Sequence, residues 1–173
     1  MNSKELSKIK KDLRKILKDN QVYDIILFGS FVKGKLNPQD IDIALITDKD
    51  YEEIKGYHTS FISLTDFFKP IGLVTTLLRE GYSLKKSKAF SEVYGFRNRC
   101  LFRYELSGLS ASKKVQVVNF LRGKGGEAGL VLEKKGEWLS NQVFLSPTIC
   151  ESIFESFFIN SKVKFRKYHI LID

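Results

Sequence analysis

Two carboxylates, Asp40 and Asp42, stand at the head of the run DIDIALI, alternating with Ile41, Ile43 and Leu45. In an extended chain a spacing of two puts both carboxylates on one face and the apolar side chains on the other. Neighbouring carboxylates repel each other unless a cation lies between them, so the pattern predicts a divalent-metal site. Upstream, the apolar run at residues 25–28 ends at Gly29-Ser30. Glycine lets a backbone approach a bulky anion closely, and serine adds a hydroxyl and an amide. The plain alternative is a turn followed by an Asp pair at a strand end.

The elements that must hold these residues can be read on either side. Residues 3–19 have Leu6, Ile9, Leu13, Ile16 and Leu17 at helical spacing with lysines and an arginine opposite, which predicts an amphipathic helix capped by Ser3. Residues 25–28 and 40–46 predict two strands joined by the polar segment 33–39. A turn with a short helix is expected at 48–56, a strand at 58–64 and a helix at 65–78, with Pro70 in its first turn and Gly81 ending it. Further on, helices are expected near 87–94 and from Ser110 or Ser112 through 122, with Val115, Val118 and Leu121 on its apolar side. The last third predicts a hairpin turning near 134–136, a helix at 149–158 and a terminal strand. GKGGEAG lacks the spacing of a phosphate-binding loop and is read as a turn after a helix.

With 173 residues the chain can bury a core in one domain or two small ones. No apolar run is long enough to span a bilayer, and the basic N-terminus has no apolar stretch of a secretory signal. Cys100 and Cys150 match no metal spacing and are read as reduced thiols, so a cytoplasmic protein is expected. The net charge is +9, and residues 79–124 carry eleven basic residues against three acids. Nearly all the excess therefore lies mid-chain, which suggests a polyanionic partner, a solvated surface being the alternative. Two distant histidines, His58 and His169, have no metalloprotease spacing.

Gly29-Ser30, nine residues, then Asp40-Ile41-Asp42, preceded by a helix and a strand, resembles the signature of the DNA polymerase beta-like nucleotidyltransferase superfamily. The resemblance covers roughly residues 5–80. It implies an α+β fold, a palm-like mixed sheet with packed helices at 1–82, followed by a small basic α+β domain at 83–173. It implies Mg²⁺ or Mn²⁺ held by Asp40 and Asp42, and a nucleoside triphosphate bound by Gly29, Ser30 and Lys33. The second half is similar in element order to the thumb of small family X polymerases, which implies DNA or RNA contacts from Arg97, Arg99, Arg103, Lys113, Lys114, Arg122 and Lys124.

The implied activity is transfer of a nucleotide to a 3′-hydroxyl of nucleic acid. The alternatives are transfer of AMP to a protein, and a binding module that keeps the fold without turnover. The family usually adds a third carboxylate on a later strand. Here that strand carries His58 and Ser60, and the nearest acid is Asp66, read first as a helix cap and, in another strand register, as the candidate third catalytic acid. Glu92 and Glu105 are more remote candidates.

Overall fold

A computed structural model of the protein describes residues 3–33, 40–69 and 71–173. The chain divides into two compact units, Met1–Phe96 and Arg97–Asp173. The first contains helices α1 (Ser3–Asp12) and α2 (Arg14–Leu17), then strands β1 (Val22–Phe28), β2 (Asp42–Thr47) and β3 (His58–Ile62). Helix α3 (Gly72–Glu80), the short strands β4 (Tyr82–Ser83) and β5 (Lys88–Ala89), and helix α4 (Phe90–Val93) complete it. The sheet order is β3-β2-β1-β4-β5, with β2 and β3 parallel and the other pairs antiparallel. The expected mixed sheet with packed helices is therefore present. The expected boundary at residue 82 falls inside this unit, because β4 pairs with β1 and draws residues 82–96 into the same body.

The two central strands are buried on both faces, which a simple in–out alternation did not anticipate. Ile25, Leu27, Ile43 and Leu45 pack with Ile9 and Leu13 on one side. Ile26, Ala44 and Ile46 pack with Ile62, Leu77 and Phe90 on the other. Each fully buried aliphatic side chain contributes about 1.5–3 kcal/mol of transfer free energy, so this two-sided core fixes the strand register firmly. Asp24, 5 % exposed on β1, is satisfied by the Ser83 hydroxyl at 2.5 Å and the amides of Ile25 and Lys85. It pins β1 to the β4–β5 turn.

Several local expectations change. Residues 51–54 form no helix. The long helix expected at 65–78 is a 3-10 turn, Leu64–Phe68, followed by α3, and Pro70 lies outside the described residues. The helix expected at 87–94 shrinks to α4, since Ser87 takes a left-handed conformation in the β4–β5 turn.

The second unit is built on strand β6 (Arg97–Glu105), followed by helices α5 (Ala111–Arg122) and α6 (Leu130–Glu133). Strands β7 (Glu137–Ser140) and β8 (Val143–Pro147), helix α7 (Glu151–Asn160) and strand β9 (Lys164–Ile172) follow. Its antiparallel sheet runs β7-β8-β6-β9. Cys100, Phe102 and Tyr104 of β6 pack with Val117 and Leu121 of α5, Val131 of α6, Phe144 of β8, and Phe154 and Phe158 of α7. Ser110 caps α5 as expected, accepting from the Lys113 amide. Val117 and Leu121 face the core, whereas Val115 is exposed. The hairpin turns at residues 141–142 instead of 134–136, because residues 130–133 are helical.

All three helices of this unit pack on the Cys100–Phe102–Tyr104 face. The opposite face carries Arg99, Leu101, Arg103 and Glu105 of β6 directly across from Ile170, Tyr168, Arg166 and Lys164 of β9. No helix of the unit contributes to that side of the described sheet.

Candidate active site

Gly29 and Asp42 are brought together by strand register. Phe28, the last residue of β1, pairs with Asp42, the first of β2, so the turn after β1 begins beside the Asp42 side chain. Gly29 has φ +72°, a conformation that L side chains rarely adopt. A Cβ built on Gly29 would lie 2.3 Å from Asp42 Oδ2, so the carboxylate occupies the space that any other residue would fill. Ser30 follows, half-buried, and the turn closes with the Lys33 amide donating to the Gly29 carbonyl at 3.3 Å.

The neighbouring strand supplies a third group. Asp42 is level with His58 in the parallel β2–β3 ladder, and His58 Nδ1 lies 2.9 Å from Asp42 Oδ1. The Asp42 side chain is 26 % exposed and that of His58 72 %. The imidazole pKa is raised above its ordinary value, first by this hydrogen bond and then by the Asp42 charge, with smaller pulls from Asp40 and Glu53. Asp40 sits in an exposed bend two residues before β2, not on the strand. Its carboxylate nevertheless acts electrostatically on the same imidazole. Asp42 and His58 thus meet beside the Gly29 turn, with Asp40 near enough to act on the imidazole.

Asp66 does not join them. His58 is level with Asp42 but Ile62 is level with Ile46, and four extended residues advance the chain by about 13 Å. Asp66 lies beyond that far end, where it accepts from the Ser63 amide at 2.9 Å and pairs with Lys69 at 2.7 Å. These bonds, that to Lys69 foremost, hold its carboxyl down to about 2. It is the cap, not the third acid. Lys33 is turned to Glu80, with Nζ and Oε2 3.0 Å apart, and its side chain is 60 % exposed.

The basic residues named from sequence separate into distinct places in the second unit. Arg99 and Arg103 share the helix-free sheet face, and Arg97 donates to the backbone carbonyl of Asp173 at the end of the same face. Lys113 and Lys114 lie in the first turn of α5 on the other side of that sheet, and Lys124 follows its C-terminus, exposed. Arg122 is committed internally. Its guanidinium lies 4.0 Å from the Trp138 ring centre and donates to the carbonyls of Ser140 and Asn141, closing the β7–β8 hairpin. Sequence reading missed Lys164 and Arg166, which β9 sets beside Glu105 and Arg103 around a cavity of about 280 Å³. The alternation of KFRKYHI contained that signal, but only the β6–β9 register shows which face it joins.

A second cluster, Cys100, Glu151 and His169, has donor atoms within 4.8 Å of one another. Lys167 already pairs with Glu151 and, at 2.7 Å, with Glu155, while His169 Nε2 is 2.7 Å from Glu151. Burial pushes the Cys100 thiol up to about 12. Burial also raises Glu151, but the bonds from Lys167 and His169 outweigh it and hold the carboxyl low. A cation here would have to displace an ammonium and strip a proton from a buried thiol. The cluster is an ion-pair clasp between α7 and β9.

The family model for a nucleotidyltransferase domain matches residues 6–97, which takes in the Gly29 turn, Asp40, Asp42 and His58. The chain is a member of the nucleotidyltransferase domain family. No curated protein and no solved structure gives a significant match. The matched residues end at the junction between the two compact units, so this nucleotidyltransferase carries its second, helix-and-sheet unit outside the family match. Family membership assigns general nucleotidyl transfer, with a nucleotide as substrate. Among the described residues, no helix is long and apolar enough to cross a membrane.

Proposed function

We propose that the protein transfers a nucleotide from a nucleoside triphosphate to a 3′-hydroxyl of nucleic acid, with Mg²⁺ or Mn²⁺ at Asp40 and Asp42. The observation that carries this reading is the Asp42 carboxylate pressed against Gly29, because it joins a cation-binding group to a backbone open to phosphate. The donor set fits a divalent ion: the Asp42 carboxylate and the His58 imidazole meet at a cradle that a side chain at residue 29 would fill, and Asp40 adds negative charge nearby. When bound, such an ion neutralises phosphate charge and favours in-line attack by a hydroxyl. The chain's own residues do the rest. Gly29 admits the triphosphate, the Ser30 hydroxyl and the turn amides orient it, and Lys33 would add its charge by exchanging Glu80 for a phosphate.

The acceptor is assigned to the second unit. Arg99, Arg103, Lys164 and Arg166 would neutralise phosphates, and Tyr168, 48 % exposed on the same face, offers a ring for stacking. Incubation with Mg²⁺ or Mn²⁺, labelled triphosphates and single-stranded or primed DNA and RNA is expected to give extended products that Asp42→Asn abolishes. Absence of extension with every acceptor, or full extension by Asp42→Asn, overturns the proposal.

One observation favours a second reading. The position level with Asp42 on β3 holds a histidine where a third carboxylate is expected, so the unit would bind nucleic acid without turnover. That reading predicts affinity unaffected by loss of Asp40 and Asp42.

A further inference from the structure

We propose that His58 is a direct metal ligand and that it makes this site prefer Mn²⁺ over Mg²⁺. The inference rests on the metal-dependent reading above and extends it to a residue and an ion. Its basis is position. Strand register sets His58 level with Asp42, and the Nδ1 to Oδ1 separation is 2.9 Å. Two adjacent ligands of an octahedral ion at about 2.1 Å must lie about 3.0 Å apart, the edge of the octahedron. The pair therefore already has the spacing of two ligands on one ion, with the ion taking the place of the shared hydrogen.

The surroundings agree. The imidazole is mostly exposed, and both Asp40 and Glu53 lie close enough to act on it electrostatically. A cation between Asp42 and His58 would therefore sit in a field of three carboxylates. The Gly29 turn removes the steric bulk that would otherwise push Asp42 away. Donor chemistry sets the choice of ion. Mg²⁺ takes oxygen ligands almost exclusively and dehydrates reluctantly, whereas Mn²⁺ belongs to the first-row transition series that binds nitrogen donors and, although the weakest of that series and at home with carboxylates, takes an imidazole more readily than Mg²⁺ does. A third carboxylate at residue 58 would make the site all-oxygen and remove that discrimination.

The test uses the full chain and the metal alone. Free Mn²⁺ is titrated by its electron paramagnetic resonance signal, with Mg²⁺ as competitor, for wild type, His58→Ala, His58→Glu and Asp42→Asn. Circular dichroism checks that each variant is folded. Wild type is expected to bind Mn²⁺ at least about tenfold more tightly than Mg²⁺. His58→Ala is expected to weaken Mn²⁺ by about tenfold or more, the size of effect that removing a group from a metal site produces. His58→Glu is expected to bring the two ions close to parity. Spin-echo modulation from a bound nitrogen should be present in wild type and absent from both His58 variants.

Wild-type Mn²⁺ affinity in His58→Ala, or no nitrogen modulation in wild type, overturns the assignment of His58 while Asp42→Asn still loses the ion. If wild type binds neither ion, or Asp42→Asn binds as wild type does, the metal-dependent reading fails with it.

Discussion

Substituting Gly29 by alanine separates two costs that the structure puts at one residue. The first is backbone strain: at φ +72° an alanine pays about 1–2 kcal/mol. The second is displacement. The new Cβ would stand 2.3 Å from Asp42 Oδ2, and ordinary contact begins at 3.4 Å, so the carboxylate must retreat by about 1 Å. The obstructing atom is the tip of a side chain, so the strand survives and the carboxylate moves. A misplacement of that size at a reacting centre costs about a hundredfold in rate. Gly95→Ala is the control, because Gly95 has φ +82° with nothing within 4 Å of its Cβ position. Both variants should lose similar stability in thermal unfolding, a drop of several degrees. Only Gly29→Ala should lose Mn²⁺ affinity and about a hundredfold in metal-dependent turnover. Wild-type metal binding and turnover in Gly29→Ala, or an equal loss in Gly95→Ala, would refute the role given to this contact.

Arg122→Ala should destabilise the second unit by about 1–2 kcal/mol through loss of the Trp138 stack and two carbonyl contacts, measured by denaturant unfolding. Arg103→Ala and Arg166→Ala should leave stability within about 0.5 kcal/mol. Each should instead reduce the slope of log affinity for single-stranded nucleic acid against log salt by about 0.7. Asp66→Asn should lower the melting temperature without changing Mn²⁺ affinity. The Asp66 carboxyl is depressed to about 2 from 3.8, so its contribution is full above pH 3.8 and is lost as pH falls towards 2. Acid unfolding of wild type across that window should therefore be steeper than that of Asp66→Asn. Finally, alkylation of the native protein should modify half-buried Cys150 before Cys100, whose fully buried thiol is held up to about 12. Peptide mass spectrometry reads the order, and early labelling of Cys100 would contradict the packing of β6.

The site and the fold differed in how far local sequence exposed them. The turn at Gly29 and Ser30 and the strand that begins at Asp42 were legible because short-range spacing encodes both, whereas Asp40, expected on that strand, lies in the bend before it. His58 was visible only as a departure from an expected acid. Its partnership with Asp42 depends on parallel pairing between strands sixteen residues apart, which no local pattern records. Asp66 is the converse case: its local sequence suggested the helix cap that the structure shows, while its candidacy as a third acid depended on a strand register that local sequence does not record. Residues 130–133 were read as strand because LVLE is apolar and β-prone in isolation, yet Val131 is fully buried as part of α6. Tertiary burial overrides propensity there. Arg122 looked like a phosphate contact until Trp138, distant in sequence, was found beneath it.

Because Phe28 pairs with Asp42, both the Gly29 turn and the Asp42 carboxylate belong to one antiparallel strand pair. Loop-closure entropy grows only logarithmically, so doubling the length of the connection between the two strands costs about 0.6 kcal/mol. The two-sided packing of Ile25, Ile26, Ile43 and Ala44 holds the strand ends in register whatever joins them. The length of chain between Lys33 and Asp40 can therefore vary while Gly29 and Asp42 stay in contact. Variation in the length of that connection carries little thermodynamic penalty for the strand pair that holds Gly29 against Asp42.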